Sequence, residues 1–314
     1  MAYKVFIDGS AGTTGLRIYQ RLGAREDIEL LSINENQRKD IKERTEKINS
    51  ADVAFLCLPD AAAKEIVTGI NSAVKVLDTS TAHRTAQGWV YGLPELYSGA
   101  QRQKIKAANR VAVPGCHATG FIALAAPLVA LGIAPADYPF TAHSVTGYSG
   151  GGKSMIADYE QHTDAIHASP RQYALGQTHK HLPEMQKISN LSYAPVFNPI
   201  VSNFYSGMVV TVPLYMRLLA QTDSTPQSVA AQLAQYYANQ PMITVHMGTQ
   251  MPESGFLETN TLAGSDKLEI FVFGTKEQIV LASRFDNLGK GSSGAALQCM
   301  NLMLGLPETT GLCV

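Results

Sequence analysis

The chain has 314 residues, of which 45% are hydrophobic and 16% are charged, and its formal net charge is −1. This composition is typical of a soluble globular protein with room for two domains. The near-neutral charge and the lack of a basic block in the sequence argue against nucleic-acid binding. No apolar segment reaches the roughly 20 residues that span a membrane. Four cysteines without CxxC spacing predict free thiols, and without a secretory signal we expect a cytoplasmic protein.

The first predicted element is a buried strand, Tyr3–Asp8, followed by a glycine-rich turn and a helix over 16–22. Glycines let the backbone approach a pyrophosphate, and the helix N-terminus attracts its negative charge. The spacing is GxxGxxG rather than GxGxxG, so the alternative is a turn whose glycines only permit close helix–strand packing. We predict a dinucleotide site with six contacts in this turn, namely Gly9, Ala11, Gly12, Thr13, Thr14 and Gly15.

The second predicted strand, 28–34, indicates which dinucleotide is bound. Sites that prefer NAD usually place an acidic residue near the end of this strand, where it accepts from the ribose 2′-hydroxyl. Here Asn34 comes first and Arg38 and Lys39 follow, and cations would pair with a 2′-phosphate instead. The sequence therefore predicts NADPH/NADP with Arg38 as a contact. The alternatives are an acidic contact from Glu35 or a solvated loop.

Strands and helices alternate up to residue 113, which predicts a doubly wound α/β domain. The apolar run 52–58 suits a central parallel strand, and Pro59 at its end would face the ligand crevice and contact the cofactor. A polar loop after the next strand, 74–78, carries Arg84. This arginine is a candidate contact for a substrate anion, or else a solvated surface group.

A turn with one cysteine, 113–120 (VPGCHATG), leads from this domain into a helix. Pro114 and Gly115 interrupt the strand, so Cys116 is expected on the first helical turn. Unpaired backbone N–H groups and the helix dipole favour a thiolate there, and the thiolate is the nucleophile. The alternative is a small buried residue in an ordinary strand-to-helix turn.

Beyond Cys116 the predicted strands have longer connections, as expected of an α+β domain. They cover 140–145, 209–214, 268–273 and 279–282, and a final amphipathic helix, 295–304, is expected to return to the first domain. We therefore predict a Rossmann domain of residues 1–115 with 287–314. An α+β catalytic and oligomerisation domain would cover residues 116–286.

Residues 147–154 (GYSGGGKS) fit the P-loop pattern of nucleotide hydrolases. Three consecutive glycines make a chance match easy, and no convincing magnesium partner follows. The simpler interpretation is that exposed backbone N–H groups and Lys153 bind an anion, such as a phosphate or carboxylate of the substrate.

His179 and His181, with Glu184 nearby, form a second group of polar residues. In an extended chain the two histidines point the same way, which is compatible with metal binding. No further ligand stands out, so we predict no metal. A histidine that moves a proton near Cys116 is better supported, because imidazole titrates near neutral pH.

A dinucleotide fold, a cysteine at a helix start and a histidine together indicate one chemistry. The thiolate attacks an acyl carbon, and hydride passes between that carbon and nicotinamide. Backbone N–H groups around Cys116 would stabilise the oxyanion. This is aldehyde dehydrogenation or its reverse, acyl phosphate reduction. The alternatives are an ATP-driven P-loop enzyme and a non-catalytic dinucleotide sensor.

Five segments spread over nearly the whole chain carry a family resemblance: the GxxGxxG turn, 91–96 (YGLPEL), 114–116 (PGC), 179–184 (HKHLPE), and 291–294 (GSSG) with 301–306 (NLMLGL). In combination they resemble the shorter form of N-acetyl-γ-glutamyl-phosphate reductase, which is related to the aspartate-semialdehyde dehydrogenases. The chain departs from the family pattern at His117, where an aromatic residue is common, and at the glycine run 150–152.

The resemblance implies NADPH-dependent reduction of N-acetyl-γ-glutamyl phosphate to the semialdehyde with release of phosphate, as in arginine biosynthesis. It also implies a homo-oligomer, either a dimer or a tetramer. Cys116 would be the nucleophile and His179 the acid/base, with His181 as the competitor. The remaining implied contacts are Asn287 near the nicotinamide and, for the substrate, Arg84, Lys153 and His181.

Overall fold

The structure is a computed structural model of the chain, and it describes residues 2–221, 223–248 and 252–314. These residues form two compact units. Unit 1 contains the residues up to Pro94 together with Arg102–Pro114 and Ser292–Leu312. Unit 2 contains Glu95–Gln101, Gly115–Gly291 and Cys313–Val314.

The strands of the described residues are β1 Tyr3–Asp8, β2 Ile28–Leu31, β3 Val53–Leu56, β4 Lys75–Asp78, β5 Val90–Tyr91, β6 Arg110–Ala112, β7 Thr141–Gly147, β8 Arg171–Gln172, β9 Val196–Ser202, β10 Met208–Tyr215, β11 Ile243–Val245, β12 Leu268–Gly274 and β13 Gln278–Phe285. The helices are α1 Thr13–Gly23, α2 Ile41–Asn49, α3 Asp60–Val67, α4 Ala100–Ala107, α5 Cys116–Ala130, α6 Gly152–Gln161, α7 Ala165–Ala168, α8 Leu182–Ile188, α9 Pro226–Tyr236 and α10 Gly294–Met303. None of these described helices combines the length and the apolar character needed to cross a membrane.

Unit 1 is built on a six-stranded parallel sheet in the order β2-β1-β3-β4-β6-β5. All four residues of β3 are buried, as expected of a central parallel strand covered on both faces. Helix α1 buries Ile18 and Leu22, spaced four residues apart on one face, and α10 packs its apolar side chains into the same core. The predicted doubly wound α/β fold is confirmed.

Unit 2 is built on a seven-stranded mixed sheet in the order β11-β12-β13-β10-β7-β9-β8. Helix α5 packs against β10 and β13 on one face of this sheet. The approach is closest at Gly120, where a Cβ would lie 2.5 Å from the Val210 side chain and 2.7 Å from that of Phe285. The α+β character predicted for the second half of the chain is therefore confirmed, and glycine is required where the helix meets the sheet.

The two units divide at residues 114 and 115, next to the predicted boundary, but residues 95–101, 287–291 and 313–314 lie in unit 2 rather than in the Rossmann unit. A buried ion pair explains the first two of these differences. The Lys290 ammonium donates to the Glu95 carboxylate at 2.7 Å, and both side chains are completely buried. Because a buried charge is tolerated only when it is paired, this contact holds the two segments together. The return to unit 1 begins at Ser292.

Candidate active site

The glycine-rich turn of unit 1 contains two glycines that packing requires and one that it does not. Gly9 has a φ of +85°, and a Cβ there would collide with the carbonyl oxygen of Cys57. A Cβ on Gly15 would collide with the carbonyl oxygen of Gly9. Gly12, the N-cap of α1, differs because its Cβ would meet only that same oxygen, at 3.5 Å. A ligand that approaches the backbone would explain this glycine.

The first turn of α1 has the properties of an anion site. No acidic side chain lies in it, and its N–H groups form the positive end of the helix dipole. The Thr13 hydroxyl is buried and has no hydrogen-bond partner among the described residues, whereas the Thr14 hydroxyl lies 3.1 Å from that of Ser292. Pro59 follows β3 at the same edge of the sheet, as the N-cap of α3. A pyrophosphate fits this turn.

A cavity of about 290 Å³ in unit 1 is lined by Ser10 and Ala11 of the turn and by residues at the end of β2. Its polar lining includes the Ser32 hydroxyl, and Arg38 is its only charged lining residue. The Arg38 guanidinium lies 3.4 Å from the exposed carboxylate of Glu35. An exposed ion pair of this kind is weak in water, so the guanidinium can exchange it for a ligand phosphate.

In unit 2, Cys116 is the first residue of α5, as predicted from the sequence. The N-cap Gly115 is extended, and its N–H donates to the Glu184 carboxylate at 3.2 Å. No acidic side chain lies in the first turn of α5. Gly291 packs against the cysteine so closely that a Cβ there would lie 2.9 Å from that of Cys116. The nucleophile candidate is therefore held from two sides while staying partly exposed.

None of the four cysteines is in a disulfide, as predicted. Cys57 is half-buried, and desolvation raises the pKa of its thiol to about 12. Cys299 is buried, and Cys313 is exposed near the end of the chain. The thiol at a helix N-terminus is thus the one whose surroundings favour the anion.

The two predicted histidines lie side by side, but in a turn and not in an extended segment. His181 is the N-cap of α8 with helical dihedral angles. Its backbone N–H donates to Nδ1 of His179 at 3.1 Å, and the two ring centroids are 4.6 Å apart. The Nε2 of His181 lies 4.0 Å from the Glu184 carboxylate. A hydrogen-bonded turn rather than strand alternation therefore brings the two rings together.

His117 brings two further residues, Ser144 and Tyr173, into this site that sequence reasoning missed. Its Nδ1 lies 2.7 Å from the Ser144 hydroxyl, and its Nε2 lies 2.6 Å from that of Tyr173. Its ring centroid is 5.5 Å from that of His179. Neither Ser144 nor Tyr173 carried a sequence signal, whereas Glu184 did, as the carboxylate three residues after a histidine.

Two family models match the chain: "Semialdehyde dehydrogenase, NAD binding domain" over residues 4–107 and "Semialdehyde dehydrogenase, dimerisation domain" over residues 116–287. N-acetyl-gamma-glutamyl-phosphate reductase 2 of Nostoc sp. is 47% identical and covers 98% of this chain and 99% of that protein. The enzyme of the same name from Rhizobium etli is 49% identical over 97% of this chain and 99% of its own. The chain belongs to the N-acetyl-γ-glutamyl-phosphate reductase family.

This family lies within the semialdehyde dehydrogenases, so the predicted family is confirmed, and unit 1 corresponds to a domain that binds a nicotinamide dinucleotide. A solved structure, aspartate semialdehyde dehydrogenase II from Vibrio cholerae, has a TM-score of 0.70. It is 15% identical and covers 97% of this chain and 99% of its own. At that identity the likeness supports the fold alone.

The predicted substrate contacts of the N-acetyl-γ-glutamyl-phosphate reductase site lie in different surroundings. Arg84 is buried in unit 1, where it donates to the carbonyl oxygens of Thr79 and Val113 at 3.0 and 2.9 Å. Lys153 is exposed in the first turn of α6 in unit 2. Both roles stay predictions.

Asn287 lies at the start of the last glycine-rich turn and is buried in unit 2. Its amide oxygen accepts from the N–H of Gly207 at 2.9 Å, and its amide nitrogen donates to the Ser149 hydroxyl at 3.0 Å. These contacts tie the segment to unit 2, and the predicted nicotinamide contact stays a prediction.

The P-loop interpretation of residues 147–154 has no support in the topology. These residues follow β7, which lies inside the mixed sheet between an antiparallel and a parallel neighbour. A P-loop instead follows the first strand of a parallel domain. Gly152 has a φ of +77° and begins α6, so one of the glycines is required by the turn itself.

One group of described residues has metal-ligating side chains close together, and it does not include His179 or His181. It consists of Asp158, His162 and His167. The two imidazole rings are stacked with an interplanar angle of 13°, so their lone pairs lie in nearly parallel planes and do not converge. A hydrogen bond from the imidazole to the Asp164 carboxylate also raises the pKa of His167. The group is therefore arranged as an ionic cluster that favours a proton.

The contrast between Gly12 and Gly15 gives a direct test of the dinucleotide turn. We expect Gly12→Ala to weaken NADPH or NADH binding about tenfold or more with little change in melting temperature, because its Cβ fits the fold but intrudes on the ligand. The matched variant Gly15→Ala should lower the melting temperature. Titration calorimetry and thermal melts measure the two effects, and an unchanged Kd in Gly12→Ala would contradict the assignment.

Proposed function

We propose that this protein reduces N-acetyl-γ-glutamyl phosphate to N-acetylglutamate semialdehyde with NADPH and releases phosphate, a step of arginine biosynthesis. The observation that carries the proposal is Cys116 on the first turn of α5, next to His117, whose ring lies 5.5 Å from that of His179, in a chain 47% identical to a named reductase. This arrangement suits acyl transfer to a thiol.

In the first step the Cys116 thiolate attacks the acyl carbon, the bond to the phosphate oxygen breaks, and a thioester forms. Helix α5 favours the attacking anion because its dipole is positive at this end and its own first turn carries no acidic residue, while the nearby Glu184 carboxylate accepts from the N–H of Gly115. The N–H groups of the first turn have no carbonyl partner within the helix. They are therefore candidates for stabilising the oxyanion that develops on the carbonyl.

His179 is proposed to handle the proton. Because Nδ1 accepts from the His181 backbone N–H, a neutral His179 ring carries its proton on Nε2. That nitrogen would donate to the developing alkoxide when the thioester is reduced. Bound NADPH supplies the hydride for this reduction. When the aldehyde is released, the hydroxyl proton returns to His179 and Cys116 leaves as the thiolate.

The preference for NADPH is proposed from the cavity of unit 1. The Thr13 hydroxyl and the backbone at Gly12 would hold the pyrophosphate. Ser32 and Arg38 line the cavity, and no carboxylate does. A lining of this kind suits a ribose 2′-phosphate, whereas a 2′-hydroxyl is usually recognised by an acidic side chain.

The assembly is proposed to be a homo-oligomer built from dimers through the sheet of unit 2. Val210 faces α5, so its neighbour Val209 faces the opposite side of the strand. On that side it clusters with Phe271 and Ala282, and the match to a dimerisation-domain family supports the same face. Four free thiols support the cytoplasm as the setting.

Replacement of the nucleophile tests the reaction. We expect Cys116→Ser to lower turnover at least about 1000-fold while NADPH binding is kept, because the alcohol is not ionised at neutral pH. The assay is phosphate-dependent reduction of NADP with N-acetylglutamate semialdehyde, set beside aspartate semialdehyde. Cys313→Ser is the matched control and should keep full activity. Full turnover in Cys116→Ser would refute the mechanism, and a preference for aspartate semialdehyde would refute the substrate.

Alanine variants distinguish the roles of the two histidines. His179→Ala should lower kcat by about 10² to 10⁴, the usual effect of losing a general acid, and should remove the pH dependence of the chemical step. His181→Ala should change kcat less and KM more. Single-turnover measurements across pH distinguish these effects. The reverse ranking would assign proton transfer to His181.

The cofactor preference depends on Arg38. Arg38→Ala should lower kcat/KM for NADPH by about 10- to 100-fold, the typical value of a charge-assisted hydrogen bond to phosphate, and leave that for NADH nearly unchanged. The same two kcat/KM values are measured for Lys39→Ala, which removes the neighbouring cation instead. Equal kcat/KM for the two cofactors in the unmodified enzyme would refute the preference.

A further inference from the structure

His117, the residue after the proposed nucleophile, is buried and has a hydrogen-bond partner on each ring nitrogen. Ser144 lies 2.7 Å from Nδ1, and the Tyr173 hydroxyl lies 2.6 Å from Nε2. Three aromatic rings surround the imidazole with centroid distances of 5.2 to 5.6 Å: Phe197, His179 and His181. On the same side of the site, the Glu184 carboxylate accepts from the N–H of Gly115.

The charge state of His117 limits how these bonds can run. Burial, and after it the nearby His179, lowers the pKa of His117 to about 3, so the ring is neutral near pH 7. A neutral imidazole has one donor nitrogen and one acceptor nitrogen. Either Nδ1 donates to Ser144 and Nε2 accepts from Tyr173, or Nδ1 accepts from Ser144 and Nε2 donates to Tyr173.

Ser144 decides between the two arrangements. It lies on β7 and is completely buried, and among the described residues its hydroxyl bonds only to His117. If Nδ1 carried the proton, the serine O–H would be buried without an acceptor. If Nδ1 is bare, the serine donates to it, and the O–H that needs another acceptor belongs to Tyr173, which is only half-buried. The cost of an unsatisfied buried donor favours this second arrangement by a factor of at least about five.

We propose that the chain Ser144→His117→Tyr173 fixes the Nε2–H tautomer of His117 and thereby makes Tyr173 a hydrogen-bond donor to the sulfur of Cys116. With its oxygen accepting from Nε2–H, the Tyr173 hydroxyl keeps its own O–H for another acceptor. Cys116 directly precedes His117 on the first turn of α5. In this proposal Ser144 and His117 are positioning residues, and Tyr173 would donate to the reacting sulfur.

The proton of Tyr173 is retained in this arrangement. Burial, and after it the charge of the Cys116 thiolate, raises the pKa of Tyr173, so the phenol stays a donor across the working pH range. A donor to the thiolate stabilises the charged form of the nucleophile. The inference rests on the proposed role of Cys116 as nucleophile, but it specifies a proton arrangement that can be observed without substrate.

The first test measures the rate of Cys116 alkylation by iodoacetamide against pH, quantified on the Cys116 peptide by mass spectrometry. Tyr173→Phe should move the midpoint of the profile upward by about one pH unit, the effect of losing one hydrogen bond to a charged group. Ser144→Ala should move it in the same direction, and Ser144→Thr, which keeps the hydroxyl, should restore it. The exposed Cys313 is the internal reference and should not change.

Two outcomes overturn the proposal. An unchanged profile in Tyr173→Phe removes the donor role. The midpoint could instead shift in Tyr173→Phe but not in Ser144→Ala, or fail to recover in Ser144→Thr. Either result would show that Ser144 does not set the tautomer of His117. His117→Gln, whose amide N–H can take the place of Nε2–H, should lie closer to the unmodified protein than His117→Phe does.

The second test is made on the unmodified protein, and a variant is needed only to assign the NMR signals. ¹⁵N NMR of histidine-labelled protein reports which ring nitrogen of His117 carries the proton, with His117→Gln identifying its signals. We expect Nε2–H at pH 7, and a proton on Nδ1 overturns the inference. Because neither test uses substrate, their failure is distinguishable from failure of the proposed reaction, which the turnover of Cys116→Ser reports.

Discussion

The close packing around the first turn of α5 is the constraint on which the site in unit 2 depends. Gly120 lets the helix lie against the sheet, and Gly291 lets a second segment lie against the side chain of Cys116. Glu184 holds the N–H of Gly115 directly before the helix. Because a side chain at either glycine would displace its neighbour, the cysteine has one position relative to the sheet.

The same helix geometry suits two different anions in this chain. Helix α1 begins at a glycine with an open approach and a buried, unpartnered threonine hydroxyl, which suits a pyrophosphate. Helix α5 begins at a cysteine, which suits a thiolate. Neither first turn carries an acidic residue. The two helices differ in the source of the anion: α1 leaves room for an external group, whereas the anion at α5 would be the cysteine side chain itself.

The polar groups behind the cysteine act as a unit because they are buried. Ser144 and His117 lie out of contact with bulk water, so each donor must find an acceptor within the protein. A neutral imidazole has one proton, so a donor that binds one ring nitrogen places the proton on the other. Low polarity therefore makes the direction of the hydrogen bonds definite, whereas in water both tautomers would be satisfied by solvent.

Local patterns in the sequence determined β1, the alternation of strands and helices in unit 1, and the helix start at Cys116, since each depends on neighbours within a few residues. Only the tertiary structure decided which residues join the site. Ser144 and Tyr173 reach His117 from 27 and 56 residues away, and a buried Lys290–Glu95 pair spans 195 residues to set the unit boundary. Such contacts follow from packing, which periodicity and spacing do not encode.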